Sequence, residues 1–432
     1  ELHLVNSFAV SEAMNFFTEN LKSLSIEKLV VSKSKVLIKN LATVIQCCPK
    51  LCEIEMNYNE TSEEDLNLLL GALRTLPKFE RISISREKLS VPNVESLCSL
   101  IIKNSKLTHV ALNKITFFEV KDISTILNSL CCCTGTLTSL LFSEPVVEIG
   151  GKTAKTKMKR SVVNGESLYP TLVSVLPKLQ TLTHLDLSRN ELSGWKDVQP
   201  CIQDLKLLQN LNLSGNSIGD EAVEKLTEIL PNFPHLEELH LAWDKITCQG
   251  AIVLATKLNC LRELKVLSLK SNEISDDGAA AIFEAMAQIP SMKEILLENN
   301  FITDKGFLSV IVNAVKMRKL ECLNLKRNLF GEIGILTLAE SLESLPQLKR
   351  LVIGCPVVYN DEASDLPDFV DGHPNQFKYI YKKLSSDVFL CVMDAAHKHS
   401  SLQEIYLSMN AMPESVDPNE FPKMKFGTHY VN

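Results

Sequence analysis

Gly150-Gly151-Lys152-Thr153 has the ending of a phosphate-binding loop, in which backbone N–H groups cradle phosphates and the lysine reaches them. The full Gly-x-x-x-x-Gly-Lys-Thr spacing would need glycine where Val146 stands, in a strand-loop-helix setting that the neighbouring residues do not provide. This argues against nucleotide binding. His397-Lys398-His399, with Asp394 close by, carries metal-ligating residue types. Histidines two positions apart do not share a helix face, so the expectation is a solvated polar helix end before Leu402. The 13 cysteines contain no paired Cys-x-x-Cys of the kind a zinc site uses. Gly-x-Ser-x-Gly and His-Glu-x-x-His are absent as well. No catalytic residue, cofactor site or metal site is expected, and the chain reads as a non-enzyme.

The cysteines have a plainer use. Cys47, Cys48, Cys52 and Cys133 fall where a helix ends and a strand begins, and buried free thiols pack as small hydrophobes. Many free thiols point to a reducing compartment, and the expected location is cytoplasmic. The sequons at Asn59 and Asn212 arise easily by chance and do not overturn this. A formal net charge of −7, spread along 432 residues, argues against a nucleic-acid surface. No uncharged apolar stretch is long enough for a membrane span. Glu1 already lies inside a repeat with Leu2 and Leu4, and the chain is expected to be part of a longer one.

The elements that would position any site are set by a period of 28 residues. Leu208, Leu211, Leu213, Asn216 and Ile218 form a complete Leu-x-x-Leu-x-Leu-x-x-Asn-x-Ile unit. It recurs from Leu236, Leu264, Met292 and Leu320. Such a period means a stacked solenoid, each unit burying its apolar side against its neighbours. The Leu-x-Leu segment predicts a short strand, and the Asn a bend whose backbone its side chain satisfies. Ala222, Val223, Leu226, Ile229 and Leu230 then predict a helix. Gly250, Gly278, Gly306 and Gly334 sit at the helix entry, where a small residue lets the helix pack closely on the sheet.

Weaker copies at Leu182, Leu137, Leu107, Phe79, Leu51, Ile26 and Leu2, and at Leu348 and Leu402, bring the expected total to about fourteen strands. Two intervals break the period. The first, Leu137 to Leu182, suggests an insertion over Val147–Ser167 that carries Lys152, Lys155, Lys157, Lys159 and Arg160. The second, Leu348 to Leu402, contains Pro367 and Pro374 where a strand is expected. The expected organisation is therefore degenerate repeats over 1–147, a basic loop over 148–167 and regular repeats over 168–358. A degenerate repeat or loop follows over 359–385, then a terminal repeat and proline-rich cap over 386–432.

A strand followed by a full helix every 28 residues resembles the ribonuclease-inhibitor class of leucine-rich repeats. The resemblance implies an α/β fold, a curved leucine-rich-repeat solenoid or horseshoe with a parallel inner β-sheet and outer helices. Among families of this class the chain is most similar to the C-terminal leucine-rich domains of the NOD-like receptors (NLR), in its mixture of regular and degenerate repeats and its clustered free cysteines. That likeness implies a ligand-sensing or autoinhibitory domain of a cytosolic innate immune receptor, in contact with an upstream nucleotide-binding module. The alternative is a stand-alone regulator of an enzyme or small GTPase, of the ribonuclease-inhibitor or Ran-GTPase-activator type.

Residues interleaved with the core leucines should point to the concave face. The expected partner-binding set is Asp186, Asn212, Glu238, His240, Trp243, Lys270, Glu294, Leu296, Glu298 and Lys326. Carboxylates, an apolar Leu296 and an exposed Trp243 suit a protein partner or a pathogen-derived ligand better than phosphate. The basic loop reads as a solvated insertion.

Overall fold

The computed structural model describes residues 1–5, 25–34, 38–59, 61–149, 159–162, 165–192, 199–354, 357–359, 369–370, 373–374, 379–381, 384–408 and 424–427. The chain divides into two compact units, Glu1–Asn216 and Ser217–Asn432.

In the first unit eight strands pair in parallel in chain order: Leu2–Val5, Lys28–Ser32, Glu53–Asn57, Arg81–Ser85, His109–Asn113, Ser139–Ser143, His184–Asp186 and Asn210–Asn212. Their register aligns Leu29, Ile54, Ile82, Val110, Leu140, Leu185 and Leu211 in one row of buried side chains. Helices cover the other side of that row, as at Glu63–Leu73 and Val91–Lys103. The first starts where Ser62 accepts the Asp65 N–H and three acids fill the opening turn, an arrangement that satisfies free amides and complements the helix dipole.

A second, smaller sheet in this unit has no sequence signal. Lys88–Leu89, Thr116–Phe117 and Val146–Ile149 pair in parallel just past the main strands, and Lys159–Val162 adds antiparallel to Val146–Ile149. Leu89, Phe117 and Val147 bury the sheet's apolar side. The expected basic insertion thus begins and ends in a paired hairpin. Lys152, Lys155 and Lys157, with the Gly150–Thr153 fragment, lie outside the described residues.

The second unit repeats the plan with seven parallel strands: Glu238–His240, Val266–Ser268, Glu294–Leu296, Cys322–Asn324, Arg350–Val352, Glu404–Ser408 and Met424–Gly427. Helices Cys248–Leu258, Ser275–Met286, Asp304–Ala314 and Glu332–Ser341 alternate with the first five strands. The break expected after Arg350–Val352 holds two short antiparallel pairs, Val357–Tyr359 with Tyr379–Tyr381 and Phe369–Val370 with His373–Pro374. Asn410 and the tail prolines lie outside the described residues.

Two side-chain ladders join successive repeats. In the first, Asn272 Oδ1 accepts the N–H groups of Asp244 (2.9 Å) and Ile246 (3.1 Å), and its Nδ2 donates to the carbonyls of Leu241 and Leu269. Asn328 does the same for Asn300 and Ile302, and Asn216 for Asn190 and Leu192. In the degenerate repeats Glu87 takes this place, accepting the Asn59 and Thr61 N–H groups through its two oxygens. Asn59 itself is fully buried in the ladder, bonded to Ser34 and Val31, so its sequon is not open to modification.

The second ladder corrects the reading of the glycines. Asp220 accepts the Thr247 N–H, Asp276 the Thr303 N–H, and Asp304 the Gly331 and Gly334 N–H groups. A Cβ on Gly250, Gly306 or Gly334 would stand 2.1, 2.4 or 2.8 Å from the Oδ1 of Asp220, Asp276 or Asp304. These glycines leave room for the preceding repeat's acid rather than for the sheet. Gly278, whose partner helix starts with Cys248 instead of an acid, is crowded by Ile274 and Ala251.

The helix end at His397–His399 also differs from expectation. Lys398 pairs with Asp394 at 2.5 Å on the surface, but His399 is buried. Its Nδ1 accepts the Leu402 N–H at 3.0 Å and its Nε2 faces the Leu345 carbonyl at 2.9 Å. A neutral imidazole that accepts at Nδ1 and donates at Nε2 satisfies both partners, so the ring ties two chain segments together.

Candidate protein-interaction face

The strands of the second unit carry three rows of side chains on the side opposite the buried leucines. Register places Glu238, Val266, Glu294, Cys322, Arg350 and Glu404 in one row. His240, Ser268, Leu296, Asn324, Val352 and Tyr406 form the next. Past the strand ends, Lys270, Glu298 and Lys326 follow one another on adjacent rungs, linked by the backbone bonds Ser271 N–H to Glu298 and Asn299 N–H to Lys326.

Eight of the ten expected residues come together on this unit: Glu238, His240, Trp243, Lys270, Glu294, Leu296, Glu298 and Lys326. Trp243 is 60% exposed and holds a left-handed backbone at φ 61°. That conformation occurs at the same step in Ser271, Asn299 and Arg327, because the chain turns out of each strand there. The turn swings the indole clear of the sheet. Lys270 and Lys326, both half-buried, make no ion pair among the described residues and stand on the rungs either side of Glu298.

Other positions are more enclosed than alternation alone implies. Ser268, Cys322 and Asn324 are buried although they point away from the core. Short side chains sit recessed between longer neighbours, and Asn324 Nδ2 donates to Glu298 Oε2 at 3.2 Å. His240 Nε2 lies 3.3 Å from Glu238 Oε2.

Asp186 and Asn212 stand on the first unit and are committed to structure. Asn212 Nδ2 donates to Asp186 Oδ2 at 3.0 Å. Each also accepts a backbone N–H two residues on, from Ser188 and Ser214. Asp and Asn side chains commonly cap a turn in this way.

Two clusters escaped sequence reasoning. In the second unit Arg350 stacks 5.2 Å over the Tyr406 ring and pairs with Glu404 at 3.7 Å. The same alternation, taken one residue to either side of Leu351 and Ile405, would have found them. In the first unit Lys28 reaches Glu55 at 2.6 Å and Glu53 at 2.9 Å, while Arg81 reaches Glu53 at 3.2 Å. Hydrogen bonds to Glu55 and Glu53 hold the Lys28 ammonium well above its usual range. Burial works against the Glu53 charge, yet Lys28 and Arg81 keep that carboxyl below its usual range. Burial, helped by the Arg81 charge, lowers the neighbouring His109.

Among the described residues no group of three or more His, Cys, Asp or Glu side chains could hold a metal ion. The described cysteines are free thiols, and no described helix is long and apolar enough to cross a membrane.

The model of the family described as Leucine Rich repeat matches residues 178–194, 205–226 and 261–283, which fall on these strand–helix units. The chain is a leucine-rich repeat protein. Its repeats resemble those of the NOD-like receptors: it is 26% identical over 211 residues to Protein NLRC5 of Homo sapiens, covering 46% of this chain and 10% of that protein. Over 105 residues it is 30% identical to Protein NLRC5 of Ictalurus punctatus, covering 23% of this chain and 6% of that protein. The chain thus spans about a tenth or less of the length of these relatives. A solved structure of the Rad7 and Elc1 complex in yeast aligns over 84% of this chain and 86% of that one, at 18% identity and a TM-score of 0.49.

Proposed function

We propose that the strand face of the second unit docks a protein partner, with Trp243 as its anchor. The carrying observation is the indole itself, 60% exposed, with Lys270 on the next rung and Glu298 and Lys326 on the rungs beyond. A large ring that leaves water for a partner's pocket gives more binding free energy than any other side chain on this face. Glu238, His240, Glu294 and Leu296 then form the surrounding mixed rim. The likeness to NLRC5 supports a finer reading, in which the chain is the ligand-sensing or autoinhibitory domain of a cytosolic NOD-like receptor. The partner is then either a pathogen-derived ligand or the receptor's own nucleotide-binding module.

The test is the triple variant Trp243→Ala/Glu294→Ala/Glu298→Ala, titrated calorimetrically with the nucleotide-binding module encoded upstream in the full-length transcript. Weakened association with unaltered thermal unfolding supports the reading. Unchanged association moves the contact off this face, and a transcript encoding repeats alone sinks the receptor assignment.

A further inference from the structure

On the first unit a different surface stands out, at the edge where each main strand gives way to the next segment. Where six of these strands end, directly after the strand or, for His184–Asp186, three residues on, one residue adopts a left-handed backbone at the surface. In order of pairing these residues are Lys33, Tyr58, Arg86, Lys114, Glu144 and Arg189. Four of the six are cations. All are exposed except Glu144, which is half-buried. Glu144 bridges Lys114 at 3.0 Å and Arg189 at 3.5 Å, while Lys33 and Arg86 make no ion pair among the described residues.

The contrast with the strand face beside it is sharp. There Lys28 and Arg81 are neutralised by Glu53 and Glu55. At the edge the row keeps a surplus of positive charge, on a chain whose formal net charge is −7. We propose that this edge binds an extended acidic segment of a partner protein. Six rungs at about 4.8 Å cover about 24 Å, the length of roughly seven extended residues. Carboxylates spaced along such a segment meet Lys33 and Arg86 directly, and meet Lys114 and Arg189 by displacing Glu144. A nucleic acid fits less well. Its unbroken phosphate charge would run over the Glu144 carboxylate, and the row offers one ring, Tyr58, for base stacking.

The probe is a fluorescein-labelled octaglutamate peptide, followed by anisotropy at low salt against the full chain. The charge reversal Lys33→Glu/Arg86→Glu is expected to weaken binding at least about tenfold, a loss typical of reversing steering charges. The control Arg318→Glu/Lys319→Glu makes the same change in net charge at exposed positions on the second unit and should leave binding within about twofold. The milder Lys33→Gln/Arg86→Gln, checked for unchanged thermal unfolding, should weaken binding in the same direction. Failure of the parent to bind, equal losses in rim and control reversals, or tighter binding of labelled octathymidylate than of the peptide would each overturn the proposal. Since the edge belongs to the first unit, none of these results depends on the Trp243 face.

Discussion

Asn272 accepts the backbone N–H of Asp244, one period earlier in the chain, at 2.9 Å. One buried amide thereby closes the bend of the repeat before it as well as its own, since its Nδ2 also reaches Leu241 and Leu269. Leucine in its place would leave two amides and the Leu241 carbonyl in a dry interior with nothing to bond, while the Leu269 carbonyl keeps the Asn300 amide. With each orphaned group worth about 1–3 kcal/mol and partial relaxation, Asn272→Leu should cost about 2–4 kcal/mol, read as a lower urea midpoint. A loss under about 1 kcal/mol would mean that water reaches the bend.

The acid ladder makes a pairwise prediction. In Gly306→Ala the new Cβ meets Asp276 Oδ1 at 2.4 Å and the Asp276 backbone at 2.7 Å, so the helix must shift. A loss of about 1–3 kcal/mol is expected. Asp276→Ala alone gives up the bonds to the Thr303 N–H and hydroxyl. The double variant should lose less than the sum, because the carboxylate that crowds the methyl is gone. Gly71→Ala is the counterpoint: nothing lies within 4 Å of its added Cβ in the Glu63–Leu73 helix, and it should gain about 0.5–1 kcal/mol. Additive losses in the 276/306 pair would show that the backbone contact, not the carboxylate, dominates.

Strands, bends and helices were legible because burial enforces a period: Leu239, Leu267, Ile295, Leu323 and Leu351 must all face the core of the second unit. The 28-residue spacing of Gly250, Gly278, Gly306 and Gly334 was equally visible, but not the reason for it. Asp220, Asp276 and Asp304 follow the same period with Cys248 standing at the step between the first two, and only coordinates show which side chain fills the gap. The Lys88–Leu89 and Thr116–Phe117 strands are two residues long and carry no period to read. On the candidate face, alternation located Glu294 and Leu296, and Trp243 was legible as following its strand, but neither could tell that Ser268 and Asn324 sit recessed, because recession depends on the size of neighbours on other strands.

Trp243 separates binding from stability. Its backbone lies at φ 61°, a region that glycine enters freely and a bulky residue enters at a cost of about 1 kcal/mol. Gly215, one period earlier in sequence, adopts φ 77° without that cost. Trp243→Gly should therefore unfold within about 1 kcal/mol of the parent, the relieved strain offsetting the added chain entropy. Partner binding through the second unit should fall at least about tenfold in the same variant. A large loss of stability would instead make the indole part of the core.

Neighbouring thiols should differ sharply. Cys132 is exposed, whereas Cys133 is fully buried and burial pushes its thiol up to about 11. The thiolate is the nucleophile, so at pH 8 iodoacetamide should alkylate Cys132 and spare Cys133 until urea unfolds the chain. Mass spectrometry of the tryptic peptide, before and after unfolding, reads both. Equal labelling in the folded state would place Cys133 at the surface.

Glu87 holds an asparagine's place in the ladder with a group that can ionise. Its desolvation raises the carboxyl above the ordinary 4.5, and the N–H groups of Asn59 and Thr61 offset this only in part. The sign follows from proton binding. An acid whose folded pKa is raised contributes its full stability below the unfolded value and loses it as pH rises through the folded one. Glu87→Gln keeps the neutral form at every pH. Whatever its offset at pH 4, this variant should therefore gain on the parent as pH climbs from 4.5 toward 7. The gain is read as a rise in the signed difference, variant minus parent, in urea-unfolding free energy. A signed difference that stays constant would mean that the two backbone donors cancel burial, and one that falls would mean that they outweigh it and that the carboxylate is the favoured form in the fold.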